Sequence, residues 1–424
     1  MHKRFLTMAE EIMGNCLVLQ SGEPTMISNT ALAGIITEAL NHECIEEIYG
    51  ALNGMRGLLQ EQIIDLADES QQAIRGLRFS PGAALGSSDF RLKGSADVDR
   101  LLKVLEAHDI AFLFICGGVD DMEMASRVSA AVAEAGMKTR VIGVPQAIDN
   151  SVPLTDHTPG YGSTAKYLSM IVRELACDAQ SFARHDQVII LEVPGQDAWL
   201  PAAASLAKQR NEPNSAPQLV FLPNVAFEAN KFIENVAEVL KTESYCIIAV
   251  GESLVDENGN YMNFETKDGR TSEKGAGEYL EELVKTHVSG VTVKSVCMSD
   301  LPRIAAHWRS ETDVDETFLT GVSAVEAACN GTTGKMITLV RGDSDQYEAE
   351  TGLADLAEVA SAGRKVFNQN WVNESGSGLN FHFNKYAKAL VLGEVEVPTE
   401  YGMPQYIGFK KNRVEVQLPP YVIE

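Results

Sequence analysis

The chain has 424 residues, of which 45% are hydrophobic and 22% are charged, values typical of a globular protein with two sizeable domains. Its net charge of −24 disfavours nucleic acid as a partner, because binding a phosphate backbone requires a basic surface. The sequence has no apolar stretch of about 18 residues and no signal-peptide core, so we expect a cytoplasmic protein without a membrane partner.

Short apolar runs rich in β-branched residues recur along the chain and predict strands at 16–19, 110–116, 141–144, 188–193, 219–222, 246–250, 291–296 and 336–340. Segments with helical apolar spacing lie between them, including 27–40, 98–105 and 165–177. Such alternation is typical of βαβ units and a mostly parallel sheet. Eight runs over this length favour two packed α/β lobes rather than one sheet.

The cysteines are scattered, and none forms a Cys-x-x-Cys pair. They are Cys16, Cys44, Cys116, Cys177, Cys246, Cys297 and Cys329. Because several lie inside apolar runs, we expect free, buried thiols in a reducing compartment.

A glycine turn follows the first predicted strand and precedes a helix, with the sequence Ser21-Gly22-Glu23-Pro24-Thr25. Such a turn directs backbone N–H groups and the helix dipole at an anion, so Gly22 is a candidate phosphate ligand. Glu23 opposes this, because a carboxylate about 4 Å from a phosphate oxygen costs roughly 4 kcal/mol at an effective dielectric near 20. A phosphate cradle and an ordinary strand-to-helix turn both remain open.

A second glycine turn, Gly117-Gly118, leaves the strand predicted at 110–116 and is followed by Asp120 and Asp121. Mg²⁺ requires only one or two protein carboxylates, so Asp120 or Asp121 could hold it through water. Alternatively, these acidic residues stabilise the N-terminus of the following helix.

The stretch 141–167, VIGVPQAIDNSVPLTDHTPGYGSTAKY, is the most informative part of the chain. An apolar strand ends at Pro145, and the pair Asp149-Asn150 follows in a polar loop that leads into a helix. Asp149 is therefore expected at the carboxyl end of a strand, where open α/β sheets bind ligands and where a general base can meet its substrate.

This stretch resembles the catalytic loop of the phosphofructokinases, especially the long pyrophosphate-dependent type, and the resemblance runs in order from about 12 to 410. Other segments that carry it are 20–34, 50–60, 81–92, 116–125, 191–207, 250–253 and 301–316. The resemblance implies the phosphofructokinase fold, with two Rossmann-like lobes. The phosphoryl-donor lobe would comprise about 1–160 with 308–390, and the sugar-phosphate lobe 161–307 with 391–424. It also implies a homo-oligomer, a dimer or tetramer, whose active sites a neighbouring subunit completes.

The implied reaction moves a phosphoryl group from pyrophosphate, with Mg²⁺, to the 1-hydroxyl of fructose 6-phosphate, with Asp149 as the base. The implied donor-side residues are Gly22, Gly117, Gly118, Asp120 and Lys166. The implied sugar-side residues are Asn150, Gly195, Glu252, Arg303 and His307. In the family, the residue matching Glu252 contacts sugar hydroxyls, and those matching Arg303 and His307 bind the sugar phosphate. Taken singly, Glu252 could be an ordinary loop carboxylate and His307 a core histidine.

Several charges of the family pattern are missing from this chain. Gln146 replaces a lysine, Asp89 and Gln196 replace arginines, Val119 replaces the residue that serves Mg²⁺, and Ser151 replaces the second carboxylate of the loop. Each lost charge-assisted bond to phosphate costs roughly 1.5–3 kcal/mol. The alternative function is therefore a catalytically silent or altered-substrate paralogue that binds a sugar phosphate or pairs with an active subunit.

Overall fold

The computed structural model describes residues 12–181, 187–195, 197–209, 211–212, 214–262, 275–344 and 346–423. The chain folds into two compact units. The first comprises Met1–Gly160, Asp313–Lys365 and Glu396–Glu424, and the second comprises Tyr161–Thr312 and Val366–Val395. No helix within the described ranges is both long enough and apolar enough to cross a membrane.

The strands are β1 (Gly14–Gln20), β2 (Ile45–Ala51), β3 (Ile63–Asp65), β4 (Ile110–Gly117), β5 (Arg140–Pro145), β6 (Gln187–Val193), β7 (Leu219–Phe221), β8 (Tyr245–Gly251), β9 (Thr292–Cys297), β10 (Lys335–Arg341), β11 (Ala349–Asp355), β12 (Thr399–Glu400) and β13 (Met403–Pro404). The helices are α1 (Ser28–Ala39), α2 (Gly54–Leu59), α3 (Gln71–Leu77), α4 (Ser95–Ala107), α5 (Val119–Glu134), α6 (Tyr161–Ser181), α7 (Trp199–Ala204), α8 (Ala229–Val239), α9 (Ala276–His287), α10 (Leu301–Ile304), α11 (Glu311–Cys329), α12 (Leu356–Ala362) and α13 (Phe381–Ala387).

Each unit contains an open, mostly parallel sheet, and β12 and β13 form a separate antiparallel pair in the first unit. In the first unit the strand order is β11-β10-β5-β4-β1-β2-β3, and only the edge strands β11 and β3 run antiparallel to their neighbours. In the second unit the order is β7-β8-β6-β9, with every pair parallel. All eight predicted runs are strands, and the predicted α/β class with parallel sheets is confirmed.

Helices cover both faces of the first sheet. Buried residues of α1, α3 and α11 pack on one face, and those of α2, α4, α5 and α12 pack on the other. All eight residues of β4 are buried because this strand lies between the two helical layers. The sheet of the second unit packs on one side against α8 and α9, around Phe232 and Leu280.

The last part of the chain is shared between the two units differently from the prediction, which placed 308–390 in the first lobe and 391–424 in the second. Residues 396–424 pack on the first unit, where the Asp65 N–H donates to the Asn412 carbonyl at 3.1 Å and the Val414 N–H donates to the Ile63 carbonyl at 3.0 Å. Residues 366–395 belong to the second unit, in which the Phe367 ring lies 5.0 Å from that of Trp199. The boundary expected near residue 390 is therefore corrected, because backbone pairing and aromatic packing fix these two segments separately.

Helices α1 and α11 cross at Gly34 and Gly321. A Cβ on Gly321 would lie 2.3 Å from the Ala31 carbonyl oxygen, so only glycine allows this approach. We expect Gly321→Ala to lower the free energy of unfolding by about 1–3 kcal/mol through overpacking, as measured by urea denaturation. Gly408→Ala is the control, because its added methyl meets nothing within 4 Å. Equal stability of both variants would contradict the proposed tight crossing.

Candidate active site

Three predicted site segments of the first unit follow neighbouring parallel strands. Gly22 lies after β1, Gly117 and Gly118 lie at the end of β4, and Asp149 lies after β5. These strands are adjacent in the order β5-β4-β1. Their carboxyl ends therefore lie along one edge of the sheet, the position at which parallel α/β proteins bind ligands.

The two glycine turns enclose the Asp121 carboxylate. A Cβ on Gly22 would lie 2.5 Å from Asp121 Oδ2, and one on Gly117 would lie 2.3 Å from the same atom. The Asp121 side chain is only 2% exposed, and it accepts hydrogen bonds from the Gly118 N–H and from Arg91 Nη1, both at 2.9 Å. Burial raises the pKa of Asp121, although Arg91, Ser21 and Gly118 oppose the shift.

The two acidic residues of this turn differ in their suitability for Mg²⁺. The oxygens of Asp121 are engaged inside the turn, so a role in metal binding would require these contacts to break. Asp120 is 70% exposed, and one of its oxygens lies 3.2 Å from Arg91 Nη2. Of the two, Asp120 thus presents the accessible carboxylate, while the apolar side chain of Val119 offers no ligand atom.

Arg91 is a cation of this site that was not predicted from the sequence. It binds both Asp120 and Asp121. The only signal in the sequence is its position two residues after Asp89, which occupies the place of the family's arginine. Asp89 and Glu23 are both exposed, so neither carboxylate is buried within the turn.

The turn at Gly22 is closed by the segment that contains Ser87 and Ser88. The Gly22 N–H donates to the Ser88 carbonyl at 3.1 Å, and the Ser87 hydroxyl donates to the Gly22 carbonyl at 2.5 Å. Binding of a phosphate by the Gly22 N–H would require the first bond to break. Gln146, at the position of the family's lysine, is buried, and its N–H donates to the Gly117 carbonyl at 2.8 Å.

The Asp149 carboxylate is held from both sides. Oδ1 accepts hydrogen bonds from the Ser151 hydroxyl at 2.5 Å and from the Ser151 N–H at 3.2 Å, and Oδ2 forms an ion pair with Arg364. The side chain is 24% exposed and that of Arg364 is 53% exposed. Asn150 is buried with a positive φ of 53°, and its side-chain oxygen accepts a 2.8 Å bond from the Thr158 N–H. Asn150 thus orders the loop that carries the base.

A buried ionic network anchors the same loop. His157 lies 2.9 Å from Asp156 and 2.7 Å from Glu316, and Arg341 binds both carboxylate oxygens of Asp156. The Tyr347 hydroxyl donates to Glu316 at 2.6 Å. Burial alone would lower the pKa of His157, but the two carboxylates raise it to about 9. Burial likewise opposes the shift of Asp156, yet His157 and Arg341 hold its pKa well below the usual range.

The predicted sugar-side residues of the second unit also follow adjacent parallel strands. Gly195 lies two residues after β6 with φ at +92°, and Glu252 directly follows β8. Arg303 and His307 follow β9, in α10 and in the 3₁₀ turn Ala306–Trp308. Because the sheet order is β8-β6-β9, these residues lie at one edge of the sheet.

The side chains at this edge are largely accessible. Glu252 and His307 are exposed, and the His307 ring packs edge-on against Tyr167 at 5.8 Å between centroids, so His307 is not a core histidine. Arg303 Nη2 lies 3.4 Å from Asp300 Oδ1. Gln196, the residue after Gly195 that replaces a family arginine, lies outside the described residues.

Lys166 has a structural use within the second unit. It is buried on α6, and its ammonium group donates to the carbonyls of Arg309, at 3.3 Å, and Gly393. Burial lowers its pKa, although Glu394 and Glu311 oppose the shift. To bind the phosphoryl donor, the Lys166 ammonium group would have to break its hydrogen bond to one of these carbonyls. The role of Lys166 in donor binding stays a prediction.

Parallel α/β units with glycine turns, carboxylates and cations at the strand ends are typical of enzymes that bind phosphorylated ligands. Residues 15–307 match the phosphofructokinase family. The chain is 33% identical to the pyrophosphate–fructose 6-phosphate 1-phosphotransferase of Halomonas elongata over 417 residues, which cover 96% of this chain and 99% of that protein. The chain belongs to the phosphofructokinase family.

The structural comparison agrees with the sequence comparison. The pyrophosphate-dependent phosphofructokinase of Nitrosospira multiformis superposes with a TM-score of 0.89 at 31% identity, covering 97% of this chain and all of that chain. A more distant relative, the sulfofructose kinase of Alkalicoccus urumqiensis, is 27% identical over 385 residues, which cover 90% of this chain and 97% of that protein.

Proposed function

We propose that the chain is a pyrophosphate-type phosphotransferase that moves a phosphoryl group to the 1-hydroxyl of fructose 6-phosphate. The main support is the position of Asp149, a partly exposed carboxylate at the carboxyl end of β5, oriented by Ser151 and Arg364. The names of the relatives that match nearly the full length support the same donor and acceptor. Nothing in the comparisons favours the silent-paralogue alternative.

In this proposal Asp149 accepts the proton of the 1-hydroxyl as that oxygen attacks the donor phosphorus. A general base of this kind contributes about 10²–10⁴-fold to the rate. The Ser151 hydroxyl and the Arg364 guanidinium restrict the carboxylate to one orientation, which keeps its acceptor lone pairs directed consistently.

Arg91 and Arg364 supply positive charge where the family's Lys and Arg are replaced by Gln146 and Asp89. Phosphoryl transfer depends on cations that neutralise the charge developing on the transferred group. Both guanidinium groups lie at the carboxyl edge of the first sheet and are at least one-third exposed. We infer that they replace part of the lost charge, so the sequence departures need not abolish the reaction.

The donor phosphates would bind at the Gly22 and Gly117-Gly118 turns. Mg²⁺ would be held by Asp120 together with donor oxygens, since Mg²⁺ commonly combines one or two carboxylates with substrate phosphates. When bound, it would neutralise phosphate charge. Asp121 links the two turns, because it accepts hydrogen bonds from the Gly118 N–H of the second turn and from the Ser21 side chain of the first.

The acceptor would bind at the carboxyl edge of the second sheet. Glu252 can accept hydrogen bonds from sugar hydroxyls, and Arg303 with His307 can bind the sugar phosphate. Gly195 has a left-handed backbone, and a Cβ added there would meet nothing within 4 Å, so ligand can approach its main chain closely.

A coupled assay in both directions tests the proposal, with pyrophosphate or ATP as donor and fructose 6-phosphate or sulfofructose as acceptor. We expect turnover with pyrophosphate, fructose 6-phosphate and Mg²⁺, and its loss on adding a chelator. Faster turnover with ATP would overturn the donor assignment, and preference for sulfofructose would overturn the acceptor. Calorimetric binding of fructose 6-phosphate without turnover under any condition would establish the silent paralogue.

Arg364→Gln tests whether this cation assists transfer. The variant keeps hydrogen-bonding capacity but loses the charge, so we expect kcat to fall about 10- to 100-fold, the loss of one charge-assisted contact. Arg127→Gln, on α5 and away from the turns, is the matched control and should retain full activity. Unchanged kcat in Arg364→Gln would restrict Arg364 to an ion pair without a role in the reaction.

A further inference from the structure

Two cysteines that are far apart in sequence meet near the amino end of β2. Cys44 directly precedes that strand, and Cys329 is the last residue of α11, yet their sulfur atoms are 3.4 Å apart. His42 completes the group, since its ligand nitrogen and both sulfurs lie within 4.8 Å of one another. Within the described ranges this is the one cluster of three side chains with metal-ligand spacing.

The main chain holds these residues in position. Arg140, buried beneath the end of α11, donates from Nη1 to the carbonyls of Ala328 at 2.6 Å and Cys329 at 3.2 Å. On the other side, the Gly14 N–H donates to the Cys44 carbonyl at 3.2 Å. Hydrogen bonds thus hold the backbone carbonyls of both cysteines.

The spacing of the sulfurs distinguishes between two kinds of chemistry. A disulfide requires about 2.05 Å between sulfurs, whereas two thiolates on one tetrahedral zinc, each about 2.3 Å from the metal, lie about 3.8 Å apart. The observed 3.4 Å, at which the Cys44 thiol donates a hydrogen bond to the Cys329 sulfur, is much nearer the second value. A disulfide also gives no reason for the His42 ring to converge on the pair.

Glu38 supports the same interpretation. Its Oε1 lies 2.8 Å from His42 Nε2, across one turn at the end of α1. A carboxylate bonded to one ring nitrogen fixes the histidine tautomer and leaves a lone pair on the other nitrogen, as for many metal-ligating histidines. The imidazole and both sulfurs belong to partly exposed residues, so an ion has access from solvent.

We propose that His42, Cys44 and Cys329 form a zinc site in which water is the fourth ligand and Glu38 orients His42. On binding, each thiol releases its proton to solvent, and both resulting thiolates and the neutral imidazole donate lone pairs to Zn²⁺, without any redox change. The site joins the end of α11 to the loop before β2, and it lies at the opposite end of the parallel strands from Asp149. It therefore stabilises the first unit rather than acting in phosphoryl transfer.

The test uses the full chain, reduced and treated with a chelator, then titrated with Zn²⁺ in competition with a chromophoric chelator. We expect one Zn²⁺ per chain, a higher Tm with Zn²⁺, and at least about 100-fold weaker binding in Cys44→Ser and in Cys329→Ser. Cys177→Ser, which removes an exposed cysteine on α6, should bind Zn²⁺ as the unmodified chain does. Glu38→Gln should weaken binding about 10- to 100-fold while both cysteines remain.

Two further measurements keep the proposal testable if the cysteine variants fold poorly. Co²⁺ added to the unmodified chain should give thiolate charge-transfer absorption and the visible bands of a tetrahedral ion. Zn²⁺ should also protect Cys44 and Cys329, but not Cys177, from alkylation. Full Zn²⁺ binding by Cys329→Ser, absence of the Co²⁺ bands, or a Cys44–Cys329 disulfide in a chain that binds no Zn²⁺ would each overturn the proposal.

Discussion

Replacing Asp149 with asparagine should lower the rate of phosphoryl transfer by about 100-fold or more, the largest effect that we expect from a single isosteric change. The variant keeps the shape of the side chain and can still bond to Ser151, but it has no carboxylate to accept the proton of the sugar hydroxyl. The measurement is kcat with pyrophosphate and fructose 6-phosphate at saturation, alongside calorimetric binding of the sugar phosphate, which should be retained.

Asp89→Asn is the matched control, because Asp89 is an exposed carboxylate of the same unit, directly after Ser88 in the segment that closes the Gly22 turn. It should keep full activity or gain some, since the change removes a negative charge near the expected donor phosphates. An Asp149→Asn variant as active as the Asp89→Asn variant would remove Asp149 from the mechanism.

Replacing His157 with alanine should lower the free energy of unfolding by about 3–5 kcal/mol. The change leaves the buried Glu316 without its cation, while Asp156 keeps Arg341, and breaking a buried ion pair by removing one partner typically costs this much. Chemical denaturation followed by circular dichroism measures the effect, with the exposed His382→Ala as the control. Equal midpoints for the two variants would contradict the anchoring role of the network.

The pH dependence of stability tests the same network. Because the pKa of His157 is raised to about 9 from 6.5, its contribution is complete below about pH 6.5 and is lost as the pH rises through 9. The lowered pKa of Asp156 has the opposite consequence, a contribution present above about pH 4 and lost on acidification. The unmodified chain should therefore lose stability between about pH 6.5 and 9 more steeply than His157→Ala.

The sequence predicts the central strands and the positions of the site segments because both depend on local patterns. Continuous apolar runs such as that of β4 are typical of strands buried on both faces. The sequence does not predict β2, β3, β11, β12 or β13, because β2 contains two adjacent glutamates, the edge strand β11 is largely polar, and the other three strands have only two or three residues. The positions of Gly22, Gly118 and Asp149 at the sheet edge could be predicted because each of these residues follows a predicted strand.

The contacts that complete the site depend on residues far apart in the chain. Arg364 is 215 residues from Asp149, and Glu316 is 159 residues from His157. A single sequence carries no signal for such pairs. Comparison with the family pattern therefore shows which cations are missing, but it does not show that Arg364 pairs with Asp149. Arg91 was missed for another reason, because its position is shifted by two residues from that of the family's arginine.

The burial of the cysteines also could not be predicted fully from the neighbouring residues in the sequence. The expectation of buried thiols holds for Cys16, Cys116 and Cys246, each within a strand, but Cys177 and Cys297 are exposed. Apolar neighbours in sequence do not determine which face of a helix a residue occupies, so the prediction was wrong for Cys177 on α6. Cys297 is exposed because it is the last residue of β9, which lies at the edge of its sheet.

The most direct test of the proposed function follows the phosphorus itself. Phosphorus NMR of the unmodified chain with pyrophosphate, fructose 6-phosphate and Mg²⁺ should show loss of the pyrophosphate signal, with equal gains of inorganic phosphate and of a phosphate ester on carbon 1. The Asp149→Asn variant should show the same change at least about 100-fold more slowly. A pyrophosphate signal that persists in the presence of the unmodified chain, or that yields inorganic phosphate alone, would contradict the proposed transfer.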